Sequence, residues 1–364
     1  MLTTHPLLTA LLTTTLALPM ATEGTQSATD IARDVTAATR AAAAEARTAS
    51  AAARTEVRAV RYQGRRDSRF RQTEQQTRTA KIGASGTIEL RNIAGDISVA
   101  AGSGDTATIE IIKVARGSSD ADAREQLGLV TVDVVEGNGR VEVVARYPDD
   151  RRRGNRRNID VSTVYRVTAP AGARLKVESI SGDVEVSGVH GEITLNTISG
   201  DITVERAGKI VKATSISGNV ELVSATQDAA VELSSTSGNI TARNLTVRRI
   251  DMGSISGNIR ATDLTCDTAE LHTMSGDVEY TGGLTRNGSY KFRTHSGNVR
   301  LTLGGGTGFE LEASTFSGEV RTGLDLRLEG VSSRRNRTIR ATYGDGAARI
   351  EATSFSGTVV INGR

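Results

Sequence analysis

The sequence predicts an all-β protein built as a solenoid, and three observations support this fold class. First, a short phrase, usually an apolar residue, Ser-Gly, Asp or Asn, and Val or Ile, recurs between residues 180 and 359, mostly every 18–21 residues. Second, apolar and polar residues alternate on both sides of each copy, as in strands with one buried face. Third, aromatic residues make up 3% of the chain and Trp is absent, which suits a narrow aliphatic interior. A period of about 20 residues is typical of a solenoid.

The repeated phrase is expected to form the corner that joins two short strands in each coil. Gly can adopt left-handed backbone angles without a Cβ clash, and Asp or Asn tolerates them next best. We therefore assign nine glycines as structural turn residues: Gly182, Gly200, Gly218, Gly238, Gly257, Gly276, Gly297, Gly318 and Gly357. The last interval, 39 residues, is close to two periods, and no obvious cap follows Gly357.

Alternation assigns two inward-facing residues to each strand before a corner. The predicted pairs are Leu175/Val177, Val211/Ala213, Val231/Leu233, Ile250/Met252, Ala269/Leu271 and Ile350/Ala352. Four or five buried apolar side chains stabilise a coil by about 1.5–3 kcal/mol each. Ordering its backbone costs roughly 1–2 kcal/mol per residue, so a single coil cannot fold alone. Stacked coils must share one core and pair their backbones.

Two ladders of polar side chains are expected to run along the stack. A Ser or Thr lies two residues before every corner Ser, from Ser179 to Ser354. The second ladder follows the corner glycines: Asp183, Asp201, Asn219, Asn239, Asn258, Asp277 and Asn298. This second ladder could bind calcium or a glycan. We favour hydrogen bonding to the corner backbone and between the side chains, since only three of the seven are carboxylates and no known calcium repeat is matched.

The first part of the chain is predicted to lie outside the solenoid. Residues 1–21 resemble a secretory signal peptide with an apolar stretch at 7–18, although no Lys or Arg precedes that stretch. Residues 22–81 are predicted as an Ala/Arg-rich helix, over about 30–60, followed by a linker over 63–81.

The β region is predicted to have two parts. Residues 82–170 are expected to form irregular first coils. They include a short helix from Ser119 to Leu127 and a hairpin turn at Gly137-Asn138-Gly139. Residues 171–364 are expected to form the regular solenoid.

No catalytic, cofactor or metal site is predicted. The chain lacks H-E-x-x-H, G-x-S-x-G, a Gly-rich phosphate loop and paired cysteines. Cys266, its only cysteine, is expected to pack as a small apolar residue. The most site-like feature is a candidate surface cluster at outward positions after the corners: Arg260, Glu279, Arg300 and Arg321. A carboxylate among basic residues on one strand face is what a glycan-cleaving β-helix enzyme would need.

The corner phrases carry a family resemblance. The tandem S-G-[DN]-[VI] corners, the early copy Ile93-Ala94-Gly95-Asp96-Ile97 and the Pro170-Ala171-Gly172-Ala173 lead-in resemble the Toastrack family of adhesin-like bacterial domains of unknown function. The resemblance covers about residues 82–363. It implies a β-helix-like stack in an extracytoplasmic location, and it supplies no catalytic residues for transfer.

We therefore expect an exported, non-catalytic β-solenoid that acts as an adhesin-like, scaffold or binding domain in the bacterial cell envelope. It would be periplasmic, cell-surface or secreted, with envelope glycans, anionic polymers or envelope proteins as partners. Self-association through residues 30–60 is open, whereas specific nucleic-acid binding and a transmembrane span are not expected. Two alternatives stay open. One is a polysaccharide lyase or glycosidase, and the other is a polyanion-binding or self-assembling surface protein that uses basic runs such as 151–157.

Overall fold

The computed structural model describes residues 70–148, 159–304, 306–332 and 337–363. Within these ranges it contains 24 strands and one helix, α1 (Asp120–Leu129). The predicted signal peptide and the Ala/Arg-rich helix lie outside the described residues. The all-β solenoid that the repeat predicts is confirmed, because parallel strands of successive coils pair along the whole array.

The regular array consists of coils that each turn once at a Ser-Gly corner. Its strands are β8 (Arg174–Ser181), β9 (Val184–Ser187), β10 (Glu192–Ser199), β11 (Ile202–Glu205), β12 (Lys209–Ser217), β13 (Val220–Ser237), β14 (Ile240–Ser256), β15 (Ile259–Ser275), β16 (Val278–Gly282), β17 (Ser289–Ser296) and β18 (Val299–Leu303). Segments before the corners pair in one ladder, the first face, and segments after them pair in another, the second face. Strands β13, β14 and β15 continue from the second face into the next coil's first face.

The interior holds the residues that alternation assigns to it, with one exception. Val177, Leu195 and Leu233 are at most 1% exposed. Val211 was predicted to face inward, but it is 38% exposed, and Ile210 is buried in its place. A register irregularity in the pairing of β10 with β12 inserts one extra residue at this point, which turns Val211 outward.

The N-terminal end of the stack is closed by an irregular cap. Its strands are β1 (Phe70–Lys81), β2 (Thr87–Ala94), β3 (Ile97–Gly102), β4 (Thr106–Gly117), β5 (Thr131–Gly137), β6 (Arg140–Arg146) and β7 (Val161–Pro170). Strands β2 and β3 form the first coil, between β8 and β9 on one side and β6 and β7 on the other. The predicted hairpin is confirmed by the antiparallel pairing of β5 with β6. The predicted helix is confirmed as α1, whose cap Ser119 accepts a hydrogen bond from the Asp122 backbone at 3.1 Å.

The linker predicted over residues 63–81 is wrong for its last twelve residues, which form β1. This strand pairs antiparallel with β4 along its full length, from Phe70 opposite Gly117 to Lys81 opposite Thr106. Backbone hydrogen bonds therefore hold an edge strand whose side chains are mostly exposed. Its polar composition, rich in Gln and Arg, made it resemble a linker.

The C-terminal end departs from chain order. Its strands are β19 (Phe309–Ser317), β20 (Val320–Thr322), β21 (Arg327–Ser332), β22 (Arg337–Tyr343), β23 (Ala348–Ser356) and β24 (Val359–Gly363). Strand β23 pairs with both β17 and β19, and β24 pairs with both β18 and β20. The coil of Gly357 therefore lies between the coils of Gly297 and Gly318. The 39-residue interval is not two periods of the stack, since it contains the β21–β22 hairpin, which packs antiparallel on β19.

Candidate functional site

The corner glycines are required mainly by close approach of neighbouring backbones. Gly182 adopts a φ of 131°, as the sequence predicts, but Gly218 lies outside the left-handed region. A Cβ on Gly218 would nevertheless overlap the carbonyl oxygen of Gly200, and the other corner glycines meet a neighbouring corner in the same way. Left-handed backbone angles therefore do not explain why every corner has a glycine. Only the absence of a side chain lets the coils stack at the corner.

The Asp and Asn ladder is used for hydrogen bonds within the protein. The backbone N–H of Asn219 donates to Oδ1 of Asp201 at 2.8 Å, and the N–H of Asn258 donates to Oδ1 of Asn239 at 2.9 Å. The series ends with the N–H of Thr358 donating to Asn298 at 3.0 Å. This confirms the interpretation that these side chains cap the corner backbone of the next coil.

The hydroxyl ladder is buried behind the corners. Ser235 donates to the carbonyl oxygen of Gly218 at 2.9 Å, and Thr273 donates to that of Gly257 at 3.0 Å. The hydroxyls of Ser179 and Thr197 are equally buried but have no hydrogen-bond partner among the described residues. The ladder therefore stabilises the middle and C-terminal corners more than the first two.

The predicted surface cluster is placed on the second face as separate ion pairs. Nε of Arg260 lies 2.8 Å from Glu279, and Nη1 of Arg300 lies 2.6 Å from Asp277. Register places Arg260, Glu279 and Arg300 side by side.

Arg321 is not adjacent to the other three members of the cluster. Val360 lies between it and Arg300 in the stack, because the coil of β23 and β24 is inserted there. Arg321 pairs instead with Glu319 at 2.8 Å. Exposed pairs of this kind contribute little to stability, because water and salt screen them. The four residues thus form no single site in the structure.

A row of exposed and mostly apolar side chains follows the corners, and sequence reasoning missed it. The residue before each corner Ser points outward, and its large apolar examples are 46–58% exposed. We name this row the corner ridge; in stacking order it consists of Ile180, Ile198, Ile216, Thr236, Ile255, Met274, His295, Phe355 and Phe316. At its C-terminal end the rings of His295, Phe355 and Phe316 stack with centroids 4.7 Å and 4.8 Å apart. The repeated phrase contains this apolar residue, which is the signal that could have revealed the ridge.

A groove opens on the first face beside the corner ridge, and it too was missed. Next to the ridge, a second row of outward-facing residues crosses the first-face strands. In stacking order it contains Thr214, Ser234, Gly253 and His272. Gly253 has no side chain, and the His272 imidazole lies over it, with Nε2 2.7 Å from the position that a Cβ would take. The cavity that these residues help to line has a volume of about 420 Å³. We call it the Gly253 groove.

The Gly253 groove has a polar wall with a partly desolvated carboxylate. Oγ1 of Thr214 and Oγ of Ser234 lie 3.0 Å apart. Burial raises the pKa of the Asp251 carboxyl, and the nearby charge of His272 opposes this rise. Nδ1 of His272 lies 3.9 Å from Oδ1 of Asp251. The wall can therefore donate and accept hydrogen bonds.

The described ranges also contain His, Cys, Asp and Glu side chains away from the groove. No group of three or more His, Cys, Asp or Glu side chains there is arranged to hold a metal ion. Cys266 is 2% exposed, and burial raises the pKa of its thiol to about 12. Nor does any helix in the described part of the chain have the length and apolar character needed to cross a membrane.

Solved structures to which the chain is similar include proteins from Bacteroides and Parabacteroides species. A candidate adhesin from Bacteroides fragilis is 16% identical with a TM-score of 0.39, over 80% of this chain and 97% of its own. A candidate lipid-binding protein from Parabacteroides distasonis is 15% identical with a TM-score of 0.42, over 80% and 97%. A candidate adhesin from Parabacteroides merdae is 13% identical with a TM-score of 0.34, over 79% and 96%. No curated protein sequence matches the chain significantly.

The family comparison covers most of the chain. Two overlapping matches to the model described as Toastrack DUF4097 span residues 34–246 and 191–362. The first begins well before residue 82, where the resemblance was expected to start, so the family match also includes β1 of the cap. The chain therefore belongs to the Toastrack family.

Proposed function

We propose that this protein is an exported, non-catalytic binding domain of the bacterial cell envelope, adhesin-like in role, and that its partner is an envelope glycan. One observation carries the proposal: the corner ridge runs beside a parallel row of hydrogen-bonding side chains on the first face. That row includes Asn196, Thr214, Ser234 and His272. Large exposed apolar surfaces rimmed by polar groups mark binding sites.

The chemistry of the two rows favours a glycan over other envelope partners. A chain of pyranose rings presents apolar C–H faces and hydroxyl edges, which complement an apolar row beside a polar one. The carboxylates of Asp96, Asp183 and Asp201 lie at the corners next to the ridge. Their negative charge disfavours anionic polymers and anionic lipid surfaces.

Export and the absence of catalysis are parts of the same proposal. Residues 1–21 supply the signal-like sequence that supports export. Glu279, the carboxylate of the predicted cluster, is neutralised by Arg260 at 2.8 Å, which suits a solvated surface better than acid–base chemistry.

Export is tested by fractionating a bacterial host that makes the tagged full-length chain and by determining the mature N-terminus by mass spectrometry. We expect an exported protein that starts near Ala21 or Thr22. A cytoplasmic protein that retains Met1 would contradict this part of the proposal.

Glycan binding is tested by retention of the purified protein on isolated envelopes, before and after periodate oxidation of their sugars. The double variant Ile198→Ser/Ile216→Ser removes two ridge side chains, and Val223→Ser/Val360→Ser changes two half-buried valines of the second face as a control. We expect periodate and the ridge variant each to reduce retention at least tenfold, with no effect of the control. Retention that survives both treatments would exclude the ridge as a glycan surface.

A further inference from the structure

The Gly253 groove is lined by one glycine that the fold does not demand. A Cβ on a corner glycine would overlap neighbouring backbone, whereas the three atoms nearest to a Cβ on Gly253 would all belong to the imidazole of His272, with Nε2 at 2.7 Å. That imidazole is the exposed end of a side chain and can rotate away. Gly253 also lies outside the left-handed region. The stack could therefore hold a larger residue at this position, and the glycine instead leaves room for the imidazole at the wall of the groove.

The groove combines the two kinds of surface that a sugar ring needs. On one side, Ile255 and Met274 of the corner ridge are 56% and 58% exposed. On the other side lie the hydroxyls of Thr214 and Ser234 and the carboxylate of Asp251. The C–H face of a pyranose can pack on the apolar side while its hydroxyls reach the polar side. A partly desolvated carboxylate such as Asp251 accepts strong hydrogen bonds from hydroxyl groups.

The charges around the groove discriminate between sugars. Glu232, Asp251 and Glu270 form a row of three carboxylates. Lys212 lies 2.7 Å from Glu232, and Arg249 lies 3.9 Å from Asp251 and 3.5 Å from Glu270. Lys291 follows Glu270 in the same row, so acids and bases balance along the row as a whole. The groove itself, however, is lined by the carboxylates of Glu232 and Asp251 and, among the described residues, by no Lys or Arg. An acidic sugar is therefore disfavoured, and a neutral one is accepted.

We infer that the Gly253 groove is a carbohydrate subsite that holds one neutral pyranose unit, an inference that rests on the proposed glycan-binding function. Asp251 and Ser234 bind the hydroxyls of the unit, and Ile255 and Met274 pack on its C–H face. Its volume of about 420 Å³ is within the range of small-ligand sites, about 300–1,000 Å³. Because Ile255 and Met274 also belong to the corner ridge, a longer glycan leaves the groove along the ridge.

The decisive variant is Gly253→Thr, which displaces the His272 imidazole into the groove and narrows it, with a residue already present in the same row at Thr214. The matched control is Asn196→Thr, which introduces a threonine in the same row but two coils away from Ser234. Asp251→Asn keeps the shape of the groove and removes the carboxylate. Equal melting temperatures for Gly253→Thr and Asn196→Thr would show that both variants fold.

Binding is measured on the full chain by saturation-transfer NMR with glucose, galactose, mannose, N-acetylglucosamine and N-acetylgalactosamine, and with galacturonate as the acidic probe. We expect at least one neutral sugar to bind the wild type and Asn196→Thr equally. Gly253→Thr should weaken it at least tenfold, Asp251→Asn should also weaken it, and galacturonate should not compete. Unchanged binding to Gly253→Thr, preferred binding of galacturonate, or no binding of any neutral sugar would each overturn the subsite.

The two proposals fail separately. If neutral sugars do not bind the groove but periodate still abolishes retention on envelopes, the subsite is wrong and the glycan-binding function stands. If Gly253→Thr abolishes sugar binding but envelopes retain the protein after periodate, the subsite stands and the envelope glycan is not the partner.

Discussion

The carbonyl oxygen of Gly200 occupies the space that a Cβ on Gly218 would need. The two residues belong to neighbouring coils, and the same relationship links successive corners along the array. The spacing of strands in a sheet, about 4.8 Å, leaves no room for the corner to retreat. The backbone of each corner therefore requires a glycine at the neighbouring corner.

Replacement of Gly218 by Ala should destabilise the solenoid by about 1–3 kcal/mol, because the new methyl group forces the stacked corners apart. The matched control is Gly283→Ala, whose Cβ would have no heavy atom within 4 Å. Unfolding in urea, followed by circular dichroism, measures the difference. Equal midpoints for the two variants would mean that the corners do not approach as closely as described.

The hydroxyl ladder offers a test with two threonines in equivalent positions. Thr273→Val removes a hydrogen bond to the Gly257 carbonyl and should cost about 1 kcal/mol of unfolding free energy. Thr197→Val should be neutral or stabilising, since its buried hydroxyl has no hydrogen-bond partner in the described ranges. Thermal unfolding of both variants measures the contrast. The same loss in both would show that Thr197 also has a partner in the folded protein.

The ion pair between Asp277 and Arg300 should make stability fall in acid. Burial acts to raise the pKa of Asp277, but hydrogen bonds from Asn298 and Arg300, with the charge of Arg300, hold it below the usual 3.8. A lowered folded pKa stabilises the protein above the unfolded pKa, and this contribution disappears as pH falls through the folded value.

The variant Asp277→Asn isolates this contribution, because Asn already occupies the equivalent position at Asn258 and Asn298. At neutral pH the wild type should be the more stable protein, by up to about 1 kcal/mol. The advantage should shrink below about pH 4. Melting temperatures across this range provide the measurement, and an advantage that grows in acid would contradict the assignment.

Cys266 should be unreactive in the folded protein. It is 2% exposed, and burial raises its pKa to about 12, so very little thiolate forms near pH 8. Iodoacetamide labelling, followed by mass spectrometry, should be at least about a hundredfold slower in buffer than in denaturant. Rapid labelling of the native protein would show that strand β15 opens.

The interior could be predicted from the sequence because burial on one face produces a period of two. Leu195 and Leu233 follow this rule, and their neighbours in the stack repeat it. Val211 does not, because Ile210 and Val211 are adjacent apolar residues and alternation cannot choose between them. The choice depends on the irregular register of β10 and β12, which is a property of the stack.

The candidate site could not be predicted as readily. Ile198 and the other ridge residues recur in the sequence, but an apolar residue at a strand end can face either way. The Gly253 groove has a signal that went unused. Thr214, Ser234, Gly253 and His272 all lie three residues before a corner Ser, so aligning the repeats places a glycine among larger residues.

The exchanged order of the last two coils has a consequence for synthesis. Strands β19 and β20 stack on the coil of β23 and β24, which follows them in sequence. During synthesis from the N-terminus, β19 and β20 therefore leave the ribosome before the coil on which they stack. The C-terminal end of the solenoid must therefore assemble late and as a unit. A premature stop after residue 347 would leave β17 and β18 with open edges, which invite pairing with other molecules. Loss of the final segment should thus yield aggregates, where an ordinary repeat array would yield a shorter protein.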